Sequence, residues 1–240
     1  IRKMVAQYAL DHELPYYDVK QHTGWLRNMF VRNTTTGELM INVVFGYEDE
    51  PHRLALLDQL LEAFPAITTL LYTINTKRND SLYDLDPKTY FGNGSITEKL
   101  EKFSFKISPK SFFQTNTKQA EKLYAVTRDF AGLTGNEVVY DLYCSTGSIG
   151  IFVSKQAKKI IGVEVIAEAI EDAKVNAALN NIEHGRYRLV LMMSKPKSGQ
   201  WQTVEVLEDD EALPDTQRKE FSYPYMITVD GDDAHLAYTW

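Results

Sequence analysis

VVYDLYCSTGSIGIFVSKQAKKIIGVE, residues 138–164, reads as strand, tight turn, helix and strand. The apolar run Val138–Leu142 is the first strand, and Tyr143-Cys144-Ser145-Thr146-Gly147 is the turn. A helix follows from Ser148, as its N-cap, to about Gln156, and Lys159–Val163 is the second strand. An acid, Glu164, stands at the tip of that strand, 23 residues after Asp141. This is the first half of a nucleotide-binding βαβ unit. Amides at the helix start face a polar ligand, and a strand-tip carboxylate can accept from the two hydroxyls of a ribose.

Downstream, a second helix is expected over 167–180, with Ala169, Ile170, Ala173 and Ala177 on its apolar face. Tyr187–Met193 can be a third strand, but no acid follows it where an adenine contact is expected. Beyond it, short strands at 201–207, 225–229 and 234–240 alternate with acidic turns, a meander rather than a βαβ rhythm. Upstream, a helix from about Lys118 to Ala131 is ended by Gly132 and Gly135. Before that helix lie a hairpin (26–32 and 38–45), an amphipathic helix (52–63), a strand (68–75), a turn-rich stretch (76–95) and an edge hairpin (96–107). These make a small α+β domain.

With 240 residues, 44% hydrophobic and 25% charged, the chain has an ordinary globular composition, enough for one large domain or two small ones. No run approaches the roughly 18 apolar residues of a membrane span, and no signal peptide is visible. The start at Ile1 and the end at Trp240 read as cut ends. Cys144 is the only cysteine, which excludes an internal disulfide and a multi-cysteine metal site and fits a reducing cytoplasm. The five histidines show no metal spacing, so no metal is expected. The net charge of −7 argues against a simple basic nucleic-acid binder. Most of it lies in residues 187–240, with ten acids against five bases.

Four stretches resemble the bacterial S-adenosylmethionine-dependent RNA uracil-C5 methyltransferases, which make 5-methyluridine in 23S ribosomal or transfer RNA. They are FKISPKSFFQTN (105–116), VYDLYCSTGSIGIF (139–152), IIGVEVIAEAIEDAKVNAALNNI (160–182), and LRNMFVRNTTTGELMINVVF with NTKRND upstream. The resemblance covers about residues 1–182. It implies an α/β fold: a small α+β central domain (1–105) facing RNA, then the first half of a class I, Rossmann-like methyltransferase sheet (106–186). It places the cofactor S-adenosylmethionine on Gln114, Tyr143, Ser148 and Glu164, and RNA, ribosomal ahead of transfer, against Arg27, Arg32, Lys77 and Arg78.

Two departures matter. The family has glycine where this chain has Ser145. The cysteine nucleophile that adds to uracil C6, and the base that removes the C5 proton, lie in a part of the family's catalytic domain that these residues do not match. Cys144 sits in the cofactor loop and does not replace that nucleophile. No catalytic residue is therefore assigned, and the chain reads as a truncated, inactive fragment. Residues 187–240 are similar to blades of sialidase-type β-propellers, through Ser194…Gly199…Trp201 and the YP…HLAYTW strands. That makes the whole a chimera joined near 183–187, with a β-rich tail of different origin. Two other readings are a carbohydrate-active propeller fragment and a non-catalytic RNA- or nucleotide-binding module.

Overall fold

α1 (Arg2–Asp11) leads into a hairpin in which NTTTG folds β1 (Leu26–Asn33) back on β2 (Leu39–Phe45). α2 (Glu50–Ala63) begins at Asp49, whose side chain accepts from the His52 amide at 3.3 Å. Pro51 falls in its first turn, where no amide donor is needed. β3 (Thr69–Ile74) runs parallel to β2, and β4 (Lys88–Phe91) closes the far edge in the order β1-β2-β3-β4. Alternation puts Ile41, Val43, Phe45 and Leu70 on one face, where they pack with Leu56, Leu57 and Leu60 of α2 and Val5 and Tyr8 of α1.

β5 (Ile96–Leu100) and β6 (Phe103–Ile107) form the expected edge hairpin as a separate antiparallel pair. α3 (Thr117–Ala131) is capped by Asn116, which accepts from the Gln119 amide at 3.1 Å, and ends on Gly132 at φ +56°. Glu98, 1% exposed, fastens these parts together. Its carboxylate accepts from the Thr35 amide at 3.0 Å and from the Thr117 hydroxyl at 2.7 Å, so it joins the β1–β2 turn to the start of α3. Burial pushes its pKa up, but these hydrogen bonds outweigh burial and leave it below the usual carboxylate range.

The computed structural model describes residues 1–82, 84–164, 166–182, 187–194, 201–206, 222–230 and 233–239. The second sheet contains β7 (Val138–Leu142), β8 (Lys159–Glu164), β9 (Tyr187–Ser194) and β10 (Trp201–Val206), in the order β10-β9-β8-β7. β7, β8 and β9 are parallel; β10 is antiparallel to β9. The crossovers are α4 (Ser148–Val153), with one 3-10 turn (Ser154–Gln156), and α5 (Ala167–Leu179). This is the α/β, Rossmann-like sheet expected from the sequence. Val139 and Ile160 face a core shared with Ala120 and Tyr124 of α3, Ile151 and Phe152 of α4, and Ile170 and Ala173 of α5. On the opposite face Val138 and Tyr140 are exposed, and no described helix covers them. A doubly wound sheet carries helices on both faces, so only one layer of that plan is present among the described residues.

The propeller reading of residues 187–240 is overturned. A propeller blade is a single four-stranded sheet. Here β9 joins β8 in parallel register, Ile160 opposite Tyr187 and Glu164 opposite Leu191, and β10 extends that sheet. Among the described residues β11 (Ser222–Asp230) and β12 (Asp233–Thr239) form a two-stranded antiparallel pair of their own. The chain divides into two units, Ile1–Glu208 and Asp209–Trp240, which separates these two strand pairs. The junction at 183–186, the turn at 195–200 and the acidic run at 208–211 lie outside the described residues. No helix among the described residues is long and apolar enough to cross a membrane.

Candidate functional site

The loop after β7 passes through the left-handed region at Tyr143 (φ +57°), Ser145 (φ +46°) and Gly147 (φ +75°). The Cys144 amide donates to the Val163 carbonyl at 3.1 Å, and the Gly147 amide to the Cys144 carbonyl at 2.7 Å, so the loop folds across the end of β8. Gly147 caps α4; Ser148, expected as the cap, is the first residue inside the helix. The Ser148 hydroxyl lies 3.0 Å from the Tyr124 phenol of α3. Cys144 is buried among the core side chains under the loop.

Ser145 keeps the backbone geometry that glycine would take freely. Its hydroxyl donates to the Phe112 carbonyl at 3.3 Å, which ties the loop to the segment ahead of α3. The left-handed backbone costs a serine about 1 kcal/mol, and one such bond returns a similar amount. Ser145→Gly is therefore expected to leave stability unchanged within about 1 kcal/mol, and Ser145→Ala to lose about 1 kcal/mol, because it keeps the strain without the bond. Chemical denaturation of the two variants checks this.

Glu164 stands at the tip of β8 as the spacing predicts. One carboxylate oxygen accepts from the Ser145 amide at 2.9 Å, the other from the Ile166 amide at 3.0 Å. Tyr143 is 46% exposed beside it; partial burial, then the charge of Glu164, raises the phenol pKa. Asp141, one residue before the end of β7, is buried, and its carboxylate accepts from the Gly150 amide at 2.8 Å. Burial raises its pKa to about 6, with the Gly150 bond opposing and the Glu164 charge adding to the rise. Asp141 was legible only as a strand-end acid; its burial needed the fold.

Gln114 is half-buried in the segment between β6 and α3. Asn116, not Gln114, caps α3. Phe113 enters the core, whereas Phe112 is 63% exposed. The tie from Ser145 to the Phe112 carbonyl brings this segment to the loop, two residues before Gln114. The loop, the strand tip and this segment thus converge at one end of the sheet, the carboxyl ends of its parallel strands. Among the described residues no group of His, Cys, Asp and Glu could hold a metal ion.

The cations expected to meet RNA fare differently. The Arg27 side chain is 1% exposed and bonds Asp80 at 2.9 Å and the carbonyls of Asn75 (2.8 Å), Lys77 (2.6 Å) and Asn79 (2.6 Å), with its guanidinium 4.0 Å over the Tyr17 ring. It is a structural clamp on the 75–80 loop. Arg32 donates to the Ser108 carbonyl at 3.3 Å, and burial lowers its pKa. Lys77 is paired with Asp84. Arg78 is exposed. Arg27→Ala is expected to cost about 2 kcal/mol, since the loop carbonyls regain water, and to be measured as lower unfolding stability.

Residues 85–197 match the family model described as tRNA (uracil-5-)-methyltransferase. A protein named uncharacterized RNA methyltransferase from Bacteroides thetaiotaomicron is 47% identical over 191 residues, 78% of this chain and 42% of that protein. One of the same name from Porphyromonas gingivalis is 48% identical over 186 residues, 77% of this chain and 40% of that protein. The chain thus spans about two-fifths of the length of these curated relatives. Among solved structures, the Pyrococcus abyssi tRNA (uracil-54, C5)-methyltransferase in complex with S-adenosyl-L-homocysteine is similar with a TM-score of 0.62 and 24% identity. The likeness covers 79% of this chain and 45% of that one, and at this identity it carries the fold.

Proposed function

Starting from the family-level match to the S-adenosylmethionine-binding RNA uracil-C5 methyltransferases, we propose that the chain binds S-adenosylmethionine, with RNA uridine as the group its family methylates. The observation that carries this reading is Glu164 at the tip of β8, its carboxylate fixed by the loop amide of Ser145 at 2.9 Å. A fixed strand-tip carboxylate beside a tight loop suits a ribose diol. Glu164 accepts from the diol, Tyr143 offers an exposed ring beside it, and Gln114 approaches from the segment tied at Phe112. Ser148 supports the loop through Tyr124. The cofactor, when bound, supplies an electrophilic methyl group on a sulfonium.

These 240 residues hold a single cysteine, buried at 4% exposure under the loop. Addition of a thiolate to uracil C6 needs an exposed cysteine facing the base. We therefore keep the fragment reading: cofactor binding without turnover by these residues alone. The division into an RNA-facing part (1–105) and a cofactor part from 106 onward belongs to this proposal, with β9 and β10 counted in the cofactor sheet they pair into. Transfer RNA is placed ahead of ribosomal RNA, which reverses the order expected from the sequence. The description of the family model and the Pyrococcus protein's name, both of which specify tRNA, support that order.

Incubation with methyl-labelled cofactor and unmodified tRNA tests the reading. No label should enter the RNA, while gel shifts should retain tRNA at low salt and lose it as salt rises. Label in 5-methyluridine would overturn the inactive reading; a shift for 23S fragments but not tRNA would overturn the order of substrates.

A further inference from the structure

We infer that one polar stripe, Asp172 and Asn176 of α5 with its C-cap Asn180, sets the register of the segment carrying Gln114 against the cofactor loop, with Asn176 the positioning residue between the two. The inference rests on the cofactor reading above.

Asp172, Asn176 and Asn180 recur every four residues and so lie along one side of the helix. They meet Ser104, Lys106 and Ser108, which recur every two residues along β6 and the residue after it. Four helical residues rise about 6 Å and two strand residues about 6.7 Å, so the two rows stay in step over three contacts. Asn180 accepts from the Ser104 amide at 2.9 Å and donates to the Ser104 carbonyl at 2.7 Å. Asn176 accepts from the Lys106 amide at 2.7 Å and donates to the Lys106 carbonyl at 3.1 Å. Each side-chain amide therefore satisfies both backbone groups of one residue, as a neighbouring strand would. A helix stands in for a strand at this edge of β6.

The ladder changes chemistry where the strand ends. The Ser108 carbonyl, next in the row, accepts instead from the Ser111 amide at 3.1 Å and from Arg32 at 3.3 Å. Asp172 there takes the Ser108 hydroxyl at 2.8 Å and the Ser111 hydroxyl as well, which carries the row past the strand into the turn. Gln114 lies three residues after Ser111. The second donor of Asn180 turns back to the Asn176 backbone carbonyl, at 2.8 Å, whereas that of Asn176 leaves the helix. Its amide group also donates to the Thr146 carbonyl, at 3.1 Å, inside the cofactor loop. Asn176 is fully buried, and its one acceptor and two donors are all engaged. It joins β6 to the loop whose Ser145 amide holds Glu164. Asn180 has the same strand contact but does not reach the loop, so it serves as the internal control.

The test compares Asn176→Ala, Asn176→Asp and Asn180→Ala in the full chain. Asn176→Asp keeps the size and the acceptor and removes both donors. Thermal unfolding should fall for both alanine variants. S-adenosylmethionine binding should weaken by about tenfold or more for both Asn176 variants and by less than about threefold for Asn180→Ala. Backbone amide exchange over 143–147 should quicken for the Asn176 variants only. Equal effects of Asn176→Ala and Asn180→Ala on binding and on loop exchange would reduce the stripe to plain stability and overturn the inference. If the native chain binds no cofactor, the exchange result still decides it. A split between Asn176 and Asn180 would support the positioning while the cofactor reading fell; no split would remove both.

Discussion

Glu164→Ala is expected to weaken S-adenosylmethionine binding by about 10²–10⁴-fold, with the protein still folded. A carboxylate accepting from both ribose hydroxyls makes two charge-assisted hydrogen bonds, each contributing about 1.5–3 kcal/mol. Alanine removes both and also leaves the Ser145 and Ile166 amides, now bound at 2.9 and 3.0 Å, without their acceptor. Some of the loss will therefore come from a looser loop. Glu164→Gln separates the two contributions, because it keeps the size and one carbonyl acceptor but lacks the charge. Its affinity should fall between native and alanine, with little change in circular dichroism. Equal affinity for all three proteins would place the ribose elsewhere.

Asp141→Asn is expected to stabilise the chain by up to about 3 kcal/mol above neutral pH, from the rise of the native carboxyl to about 6 from 3.8. The native value lies above the unfolded one, so protonated Asp141 favours the folded chain. That contribution is complete below about pH 4 and is lost as pH rises through about 6. Asparagine has no charge to desolvate and keeps an oxygen for the Gly150 amide. Urea unfolding at about pH 4 and about pH 8 should show the variant near native stability in acid and more stable in base. A difference that does not change with pH would mean that burial does not penalise the native charge. A natural sequence that retains such an acid at this position has a local cost, and such costs concentrate at binding sites.

The parts of the site legible in the sequence were those fixed by local spacing. The loop, the strand tip at Glu164 and the helix stop at Gly132 follow from periodicity and turn chemistry within a few residues. β4 was hidden: Lys88–Phe91 is short, mostly exposed and lies in a turn-rich stretch, so no alternation marks it. Arg27 was misread because a cation's side chain can be buried by partners some fifty residues away in the chain, as Asp80 does here. The row of Asp172, Asn176 and Asn180 drew no reading from the sequence, since its partners on β6 lie some seventy residues away in the chain. The propeller reading failed for a related reason. Alternation identifies a strand, yet does not say which sheet it joins, and β9 had a free edge of β8 to pair with. Long-range pairing, rather than local propensity, decided each of these.

We propose that the loop after β7 and the tip of β8 form a working cofactor site. Titration calorimetry of S-adenosylmethionine into the native chain, with Glu164→Ala alongside, tests it most directly. The expected result is saturable one-to-one heat with native protein and none with the variant. Absence of heat from the native chain at millimolar cofactor, or the same heat from both proteins, would contradict it.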